Sequence, residues 1–345
     1  MQSLQAIISA PFQTAVRSVT LELPQSNQIL VETAYSVISA GTELAVYTGK
    51  HQWLLDPRMT DWKFPFKPGY SAAGVIRAVG SDISGLKAGD RIAYPGNHAS
   101  AELLTLGHER GRWWKLPDNL DFQTAAWSCV ARYGMGGSIR AGLTLGRSAA
   151  VMGLGVIGQW TLRCLKAAGA FPVIGIDAVK MRRDAAMQGG ADAVIDPSQG
   201  NVLPTLQSIT GLRGAEIVAD ATGVPDVIPQ AMSLACDAGQ VIIVGSPRGK
   251  VNDVNFYDDL HRRYIEVTGA HGNMLFEPSH HRLAGAWNID KAENWLLASM
   301  AQKRITTNGL ITHEITPEEL GKAYDGLLNN KQEYLGVGVR WNLSL

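Results

Sequence analysis

The chain has 345 residues, 46% apolar and 18% charged, a balance that suits a folded globular protein and argues against a disordered one. Lys plus Arg and Asp plus Glu both number 31, with no long basic run, so no nucleic-acid or anionic-membrane partner is expected. No apolar run is long enough to span a bilayer, the first residues lack a signal peptide's charged start, and Cys129, Cys164 and Cys236 form no CxxC pair; these features point to a soluble cytoplasmic protein with free thiols.

In chain order, SLQAIISA, QILVETAYSVIS, GVIRAVG, DRIAYPG and ASAELLT are short apolar runs bounded by turn residues. They predict a β-rich, barrel-like domain. After about residue 125 the pattern changes to Val/Ile-rich strands alternating with helices. AAVMG is followed by a helix in VIGQWTLRCLKAAGA with Gly169 as C-cap, then PVIGID, MRRDAAMQGGA and DAVIDP. VLPTLQSIT, AEIVADATG, DVIPQAMSLACDAG, QVIIVGS and YIEVTGAH continue the alternation. Six such strands predict a doubly wound α/β fold with a parallel sheet. KAENWLLASMAQKR and PEELGKAYDGLLNN read as helices, LITHEIT and VGVRW as strands, and this tail is expected to return to the first domain. The expected division is 1–125 with 286–345, and 126–285 between them.

Gly153, Gly155 and Gly158 form GxGxxG between a buried strand and a helix, the context in which the motif binds a dinucleotide. Glycines permit the tight turn and close backbone approach to pyrophosphate, and the amides of Val156 and Ile157 open the helix that faces it. Asp177 ends the next strand about 20 residues on, where an acid accepts the ribose hydroxyls and repels the extra phosphate of NADP. NAD is therefore the expected cofactor, although Lys180, Arg182 and Arg183 follow closely, and Arg182 is counted among the cofactor contacts. Thr222, Gly245, Ser246, Ala270 and His271 sit in turns after later strands, where ligands of such sheets bind; ordinary turn chemistry is the other reading.

GVIRAVGSDISGLKAGDRIAYPG, VMGLGVIGQ, GADAVIDP, VADATG and GQVIIVGS resemble, in order, the medium-chain dehydrogenase/reductase (alcohol dehydrogenase-like) superfamily. The resemblance implies a GroES-like catalytic domain beside a Rossmann domain, a small-molecule substrate, and a homodimer or homotetramer. Zinc members carry Cys-Gly-Thr-Asp where this chain has Ala40-Gly41-Thr42-Glu43, and Gly-His-Glu where it has Gly69-Tyr70-Ser71. Cys129 alone cannot hold a catalytic zinc, which needs three protein ligands. The four-cysteine structural-zinc lobe is replaced by HASAELLTLGHERGRWWKLP, so no metal is expected.

Without zinc, hydrogen-bond donors must stabilise the developing oxyanion. Tyr70, at the lost ligand position, is the first candidate; filling the metal's volume is the alternative. Thr42 resembles the family's proton-relaying hydroxyl, or bonds its own turn. Glu43 is a base or the partner of an arginine, and His51 is a further candidate base, with Tyr47 and His98 behind it. Arg132 and Tyr133 touch ligand or pack. Trp53 and Trp62, in the long loop 51–70, suit a sugar face or packing. His280 and His281 lie in a late loop. AGTE, DATG and GVGVRW resemble the polyol- and sugar-active branch, which implies oxidation of a secondary alcohol of a polyol, sugar, cyclitol or glycoside. A zinc-free NADPH-dependent quinone or enone reductase and a non-enzymatic nucleotide-binding protein are the alternatives.

Overall fold

The computed structural model describes residues 1–252, 254–275 and 287–343. Two compact units emerge, one from Met1–Val130 with Ile311–Leu345, the other from Ala131–Leu310. The chain opens with an antiparallel hairpin, β1 (Gln2–Ala10) and β2 (Gln13–Thr20). The sequence reading missed β2, because QTAVRSVT leaves much of itself exposed and carries little apolar signal. β3 (Gln28–Val37) is nearly all buried, and helix α1 (Ala40–Tyr47) follows it. Strands β4 (Ala72–Val79), β5 (Arg91–Tyr94), β6 (Ala101–Thr105) and β7 (Trp114–Lys115) come next, then helices α2 (Phe122–Ala125) and α3 (Ser128–Ala141).

The second unit alternates strand and helix: β8 (Ala149–Met152), α4 (Val156–Ala167), β9 (Val173–Ile176), α5 (Lys180–Gln188), β10 (Ala193–Ile195), α6 (Val202–Thr210), β11 (Ala215–Asp220), α7 (Ile228–Leu234), β12 (Ala235–Ile243) and β13 (Glu266–Gly269). Its six strands are parallel in the order β10-β9-β8-β11-β12-β13, which reverses direction between β8 and β11. This is the doubly wound order, with its ligand crevice at the reversal. Both faces are covered. Val151, Leu154, Leu162, Ile217 and Ile242 are buried in one layer, and Ile174, Ile176, Leu206, Val218 and Val241 in the other. Each such side chain contributes roughly 1.5–3 kcal/mol on burial. β12 starts at Ala235, earlier than the expected QVIIVGS, so Ala-Cys-Asp-Ala-Gly belongs to the strand and not to the preceding helix. Ala238, with φ +58°, cannot sit in that helix.

Helix α8 (Ile289–Ala301) lies in the second unit, not with the returning tail as expected; residues 276–286, where the expected division fell and which contain His280 and His281, are outside those described. Long-range contacts decide this. Arg132 Nη1 reaches the buried Glu293 of α8 at 2.5 Å. The buried Arg163 of α4 donates to the carbonyls of Thr306 and Asn308 at 2.9 and 2.8 Å. The chain then returns to the first unit as β14 (Ile311–Ile315), α9 (Leu320–Asn329) and β15 (Gly336–Arg340). The order β14-β15-β3-β4-β5-β7, with β6 also on β3, completes a seven-stranded sheet. Ile8, Ile38, Val46, Tyr324, Val337 and Trp341 form one core of this unit, and Ile29, Val31, Ile76, Ile92 and Tyr94 another. No helix among the described residues is long and apolar enough to cross a membrane.

Candidate active site and cofactor cradle

The glycine turn of the second unit lies between β8 and α4. Gly153 takes φ +80°, and a β-carbon on it would lie 2.8 Å from Thr222 Cγ2. Gly155 is the N-cap of α4 without a side-chain cap, so the first-turn amides of Val156, Ile157 and Gly158 point outward with the positive end of the helix. A β-carbon on Gly245 would come within 2.4 Å of Gly223 N, which packs the turns after β11 and β12 together. Ser246 adjoins Gly223, and Ala270 is buried with its N–H donating to Ile243 O at 2.8 Å. His271 follows, exposed. The candidate cofactor residues thus gather at the C-terminal edge of one sheet, and their geometry fits a pyrophosphate.

Asp177 follows β9 directly. Its Oδ2 accepts from Leu154 N and its Oδ1 from Val179 N, both at 2.8 Å. A carboxylate has about four acceptor sites, so each oxygen retains capacity for a hydroxyl. Arg182 Nη1 stands 3.7 Å from Oδ2, while Arg183 turns to Asp196 at 2.8 Å. Nearby, Asp220 Oδ1 accepts from Thr222 N and Oγ1, and its buried Oδ2 has no partner among the described residues. Burial pushes the Asp220 carboxyl up, against the pull of the Thr222 bonds.

The first unit carries the other set. A β-carbon on Gly69, which takes φ +96°, would lie 2.7 Å from His98 N, so the turn that leads into Tyr70 requires glycine. Tyr70 Oη lies 2.5 Å from Ser39 Oγ. Ser39 N donates to Glu43 Oε1 at 2.7 Å. Glu43 Oε2 meets His98 Nε2 at 3.0 Å and accepts from Tyr324 Oη at 2.6 Å. His98 Nδ1 pairs with Ser36 Oγ at 2.8 Å, which accepts from Trp341 Nε1 at 3.0 Å. Burial, then Glu43 beside it, push the Tyr324 phenol up, so it remains a donor.

Glu43 is 1% exposed, and its partners are a histidine, a tyrosine and an amide rather than the arginine expected. Enclosed in this way, it supports the backbone at Ser39. Thr42 lies in the first turn of α1, not in a loop turn, and is part-exposed. His51 is 7% exposed, accepts from Trp53 N through Nδ1 at 3.3 Å, and stacks on Trp62 with ring centroids 4.3 Å apart. Tyr47 packs on Tyr324 and bonds Asp325 at 3.1 Å. Arg132 and Tyr133 pack: Arg132 pairs with Glu293, and a β-carbon on Gly272 would lie 2.0 Å from the Tyr133 ring. Sequence reasoning missed Ser39 and Tyr324. For Ser39 the signal was a serine directly before AGTE; for Tyr324 there was none, because the contact with Glu43 spans 281 residues.

At the positions that resemble the family's zinc ligands, the side chains are of other kinds. Ala40 offers only a methyl group, Tyr70 is bonded to Ser39, Ser71 Oγ donates to Ala126 O at 2.5 Å, and Cys129 is fully buried. Among the described residues no three His, Cys, Asp or Glu side chains cluster. These residues do not fit the metal.

Residues 25–135 match the alcohol dehydrogenase GroES-like domain, and residues 156–288 match the zinc-binding dehydrogenase family. The chain is 23% identical to the zinc-type alcohol dehydrogenase-like protein YdjJ of Escherichia coli K12, covering 97% of this chain and 98% of that protein. It is 25% identical to sorbitol dehydrogenase of Pongo abelii, covering 94% and 92%. The structure of 2R,3R-butanediol dehydrogenase from Bacillus subtilis superposes with TM-score 0.82 at 20% identity, covering 99% of this chain and all of that one. With the glycine cradle in one unit and the GroES-like sheet in the other, the chain belongs to the alcohol dehydrogenase-like medium-chain dehydrogenase/reductase superfamily, and is an oxidoreductase that uses a nicotinamide cofactor.

Proposed function

We propose that the protein oxidises a secondary alcohol of a polyol, sugar, cyclitol or glycoside to a ketone, reversibly, with NAD and without a catalytic zinc. The observation that carries this reading is Tyr70: a phenol, held by Ser39, stands in the loop where zinc relatives place a metal-binding histidine. The similarity to sorbitol dehydrogenase supports the substrate class. Asp177 supports NAD, since its carboxylate retains acceptor sites for two ribose hydroxyls and repels a phosphate.

A bound nicotinamide would supply the hydride acceptor. As a phenolate, Tyr70 Oη takes the hydroxyl proton during oxidation; as a phenol, it gives its proton to the oxyanion during reduction. The amides of Val156, Ile157 and Gly158 would hold the pyrophosphate, and Asp177 the adenosine ribose. A second reading, an NADPH-dependent quinone or enone reductase, is favoured by one observation: Arg182 lies 3.7 Å from Asp177, where a guanidinium can bind a 2′-phosphate.

The test is turnover of a polyol panel, including sorbitol, with NAD and with NADP, on protein of measured metal content. The expected result is NAD-linked oxidation by protein with far less than one zinc per chain, unaffected by chelators. Tyr70→Phe should lower kcat by about 10²–10⁴ with NADH affinity unchanged. One tight zinc per chain, or full activity in Tyr70→Phe, would reject the mechanism. Preference for NADPH and enones would select the second reading.

A further inference from the structure

Ser39 is the N-cap of α1, the position at which a serine hydroxyl ordinarily accepts from the second or third helical amide. Here its side chain makes no cap bond. The hydroxyl, 5% exposed at residue level, is turned to Tyr70 instead, 2.5 Å away. The helix end thereby forgoes its side-chain cap. A local preference abandoned beside a reactive group marks a functional constraint. The backbone of Ser39 is also restrained, because its N–H is fixed on the buried Glu43, which His98 and Tyr324 hold in turn. The first-turn amides of α1 place a partial positive charge at the same corner.

We propose that Ser39 is a positioning residue for Tyr70: its hydroxyl fixes the phenol oxygen and donates to it once the proton has left, stabilising the phenolate that takes a proton from an alcohol. This rests on the reading of Tyr70 as the acid–base group. When an alcohol is oxidised, the hydride goes to the nicotinamide, the hydroxyl proton goes to Tyr70 Oη, and the Ser39 Oγ–H bond stays intact. Tyr70 then returns the proton to water. Among the described residues, charged or titratable groups tied to this corner include Glu43 on α1, His98 before β6, Tyr324 on α9 with Tyr47 packed on it, and Arg110, whose guanidinium donates to the carbonyl of Gly69 at 3.2 Å. Glu43 opposes a phenolate and Arg110 favours one. Neither is removed by changing Ser39, so the comparison isolates the hydroxyl.

The experiment is a spectroscopic titration of tyrosinate on the full-length protein, with the Tyr70→Phe spectrum subtracted to leave the Tyr70 transition. The same difference is taken in Ser39→Ala and in Ser39→Thr. A lost hydrogen bond to a charged oxygen should move the midpoint up by about one pH unit or more in Ser39→Ala, and Ser39→Thr should restore it. Ser39→Gly, which a helix N-cap tolerates better than alanine, serves if the alanine variant folds poorly. An unchanged midpoint in Ser39→Ala or Ser39→Gly overturns the proposal. Failure of the underlying reading has a separate signature: Tyr70→Phe would then turn over polyols at the wild-type rate, whatever the titration shows.

Discussion

A β-carbon added to Gly158 would lie 1.8 Å from the carbonyl oxygen of Gly153. The third glycine of the motif is therefore required by the first: α4 leaves β8 so closely that its opening turn touches the backbone it has just left. Gly158→Ala must push helix and turn apart. Overpacking of this kind costs about 1–3 kcal/mol. The expected outcome is a lower melting temperature and at least a tenfold loss of NADH affinity by calorimetry. Wild-type affinity would show that the first-turn amides do not hold the pyrophosphate.

Asp177→Asn should shift cofactor choice. The amide can still accept from Leu154 N, but it no longer repels a phosphate, and Arg182 is released from its acidic neighbour. Losing charge-assisted bonds of about 1.5–3 kcal/mol corresponds to roughly a 10–100-fold fall in kcat/KM for NAD, with NADP gaining. Steady-state kinetics with both cofactors measures the ratio. A constant ratio would remove Asp177 from the ribose site.

Glu43→Ala should destabilise the first unit by about 3–5 kcal/mol, since breaking one side of a buried polar network leaves its partners unpaired. The stranded groups are Ser39 N, His98 Nε2 and Tyr324 Oη. Denaturant unfolding measures the loss. A change below about 0.5 kcal/mol, the range of ordinary surface substitutions, would contradict the burial and bonding described.

Asp220 predicts a pH dependence. Its carboxyl is pushed up in the fold, chiefly by burial. An acid with a raised folded pKa adds no penalty while both states are protonated, below the unfolded value near 4. The penalty grows as pH rises through that value toward the folded pKa. Asp220→Asn lacks this term. Its melting temperature minus that of the wild type should become more positive between pH 3 and pH 7. A difference independent of pH, seen in calorimetric scans, would show that Asp220 titrates alike in both states.

The cofactor unit was legible from sequence because its signals are local. Strand, turn, helix and acid run from Ala149 to Asp177 within one stretch of chain, and three glycines specify a turn by their own backbone freedom. The corner proposed for catalysis was legible only as a set of residue types. Tyr70 was singled out by position, and only the fold shows the neighbours of Glu43 and His51. Glu43 is enclosed by residues 55 and 281 positions away, and His51 lies in a ring stack with Trp53 and Trp62.

The amino-acid sequence by itself determined the two kinds of domain and the glycine turn between β8 and α4, because periodicity and glycine geometry act over a few residues. Tertiary structure alone decided that Ser39 bonds Tyr70 rather than capping its helix, that Tyr324 and His98 close on Glu43, and that α8 stays with the second unit. The physical reason is common to all three. A hydrogen bond forms between atoms the fold brings within about 3 Å, and nothing in the local order of residues encodes which distant partner arrives.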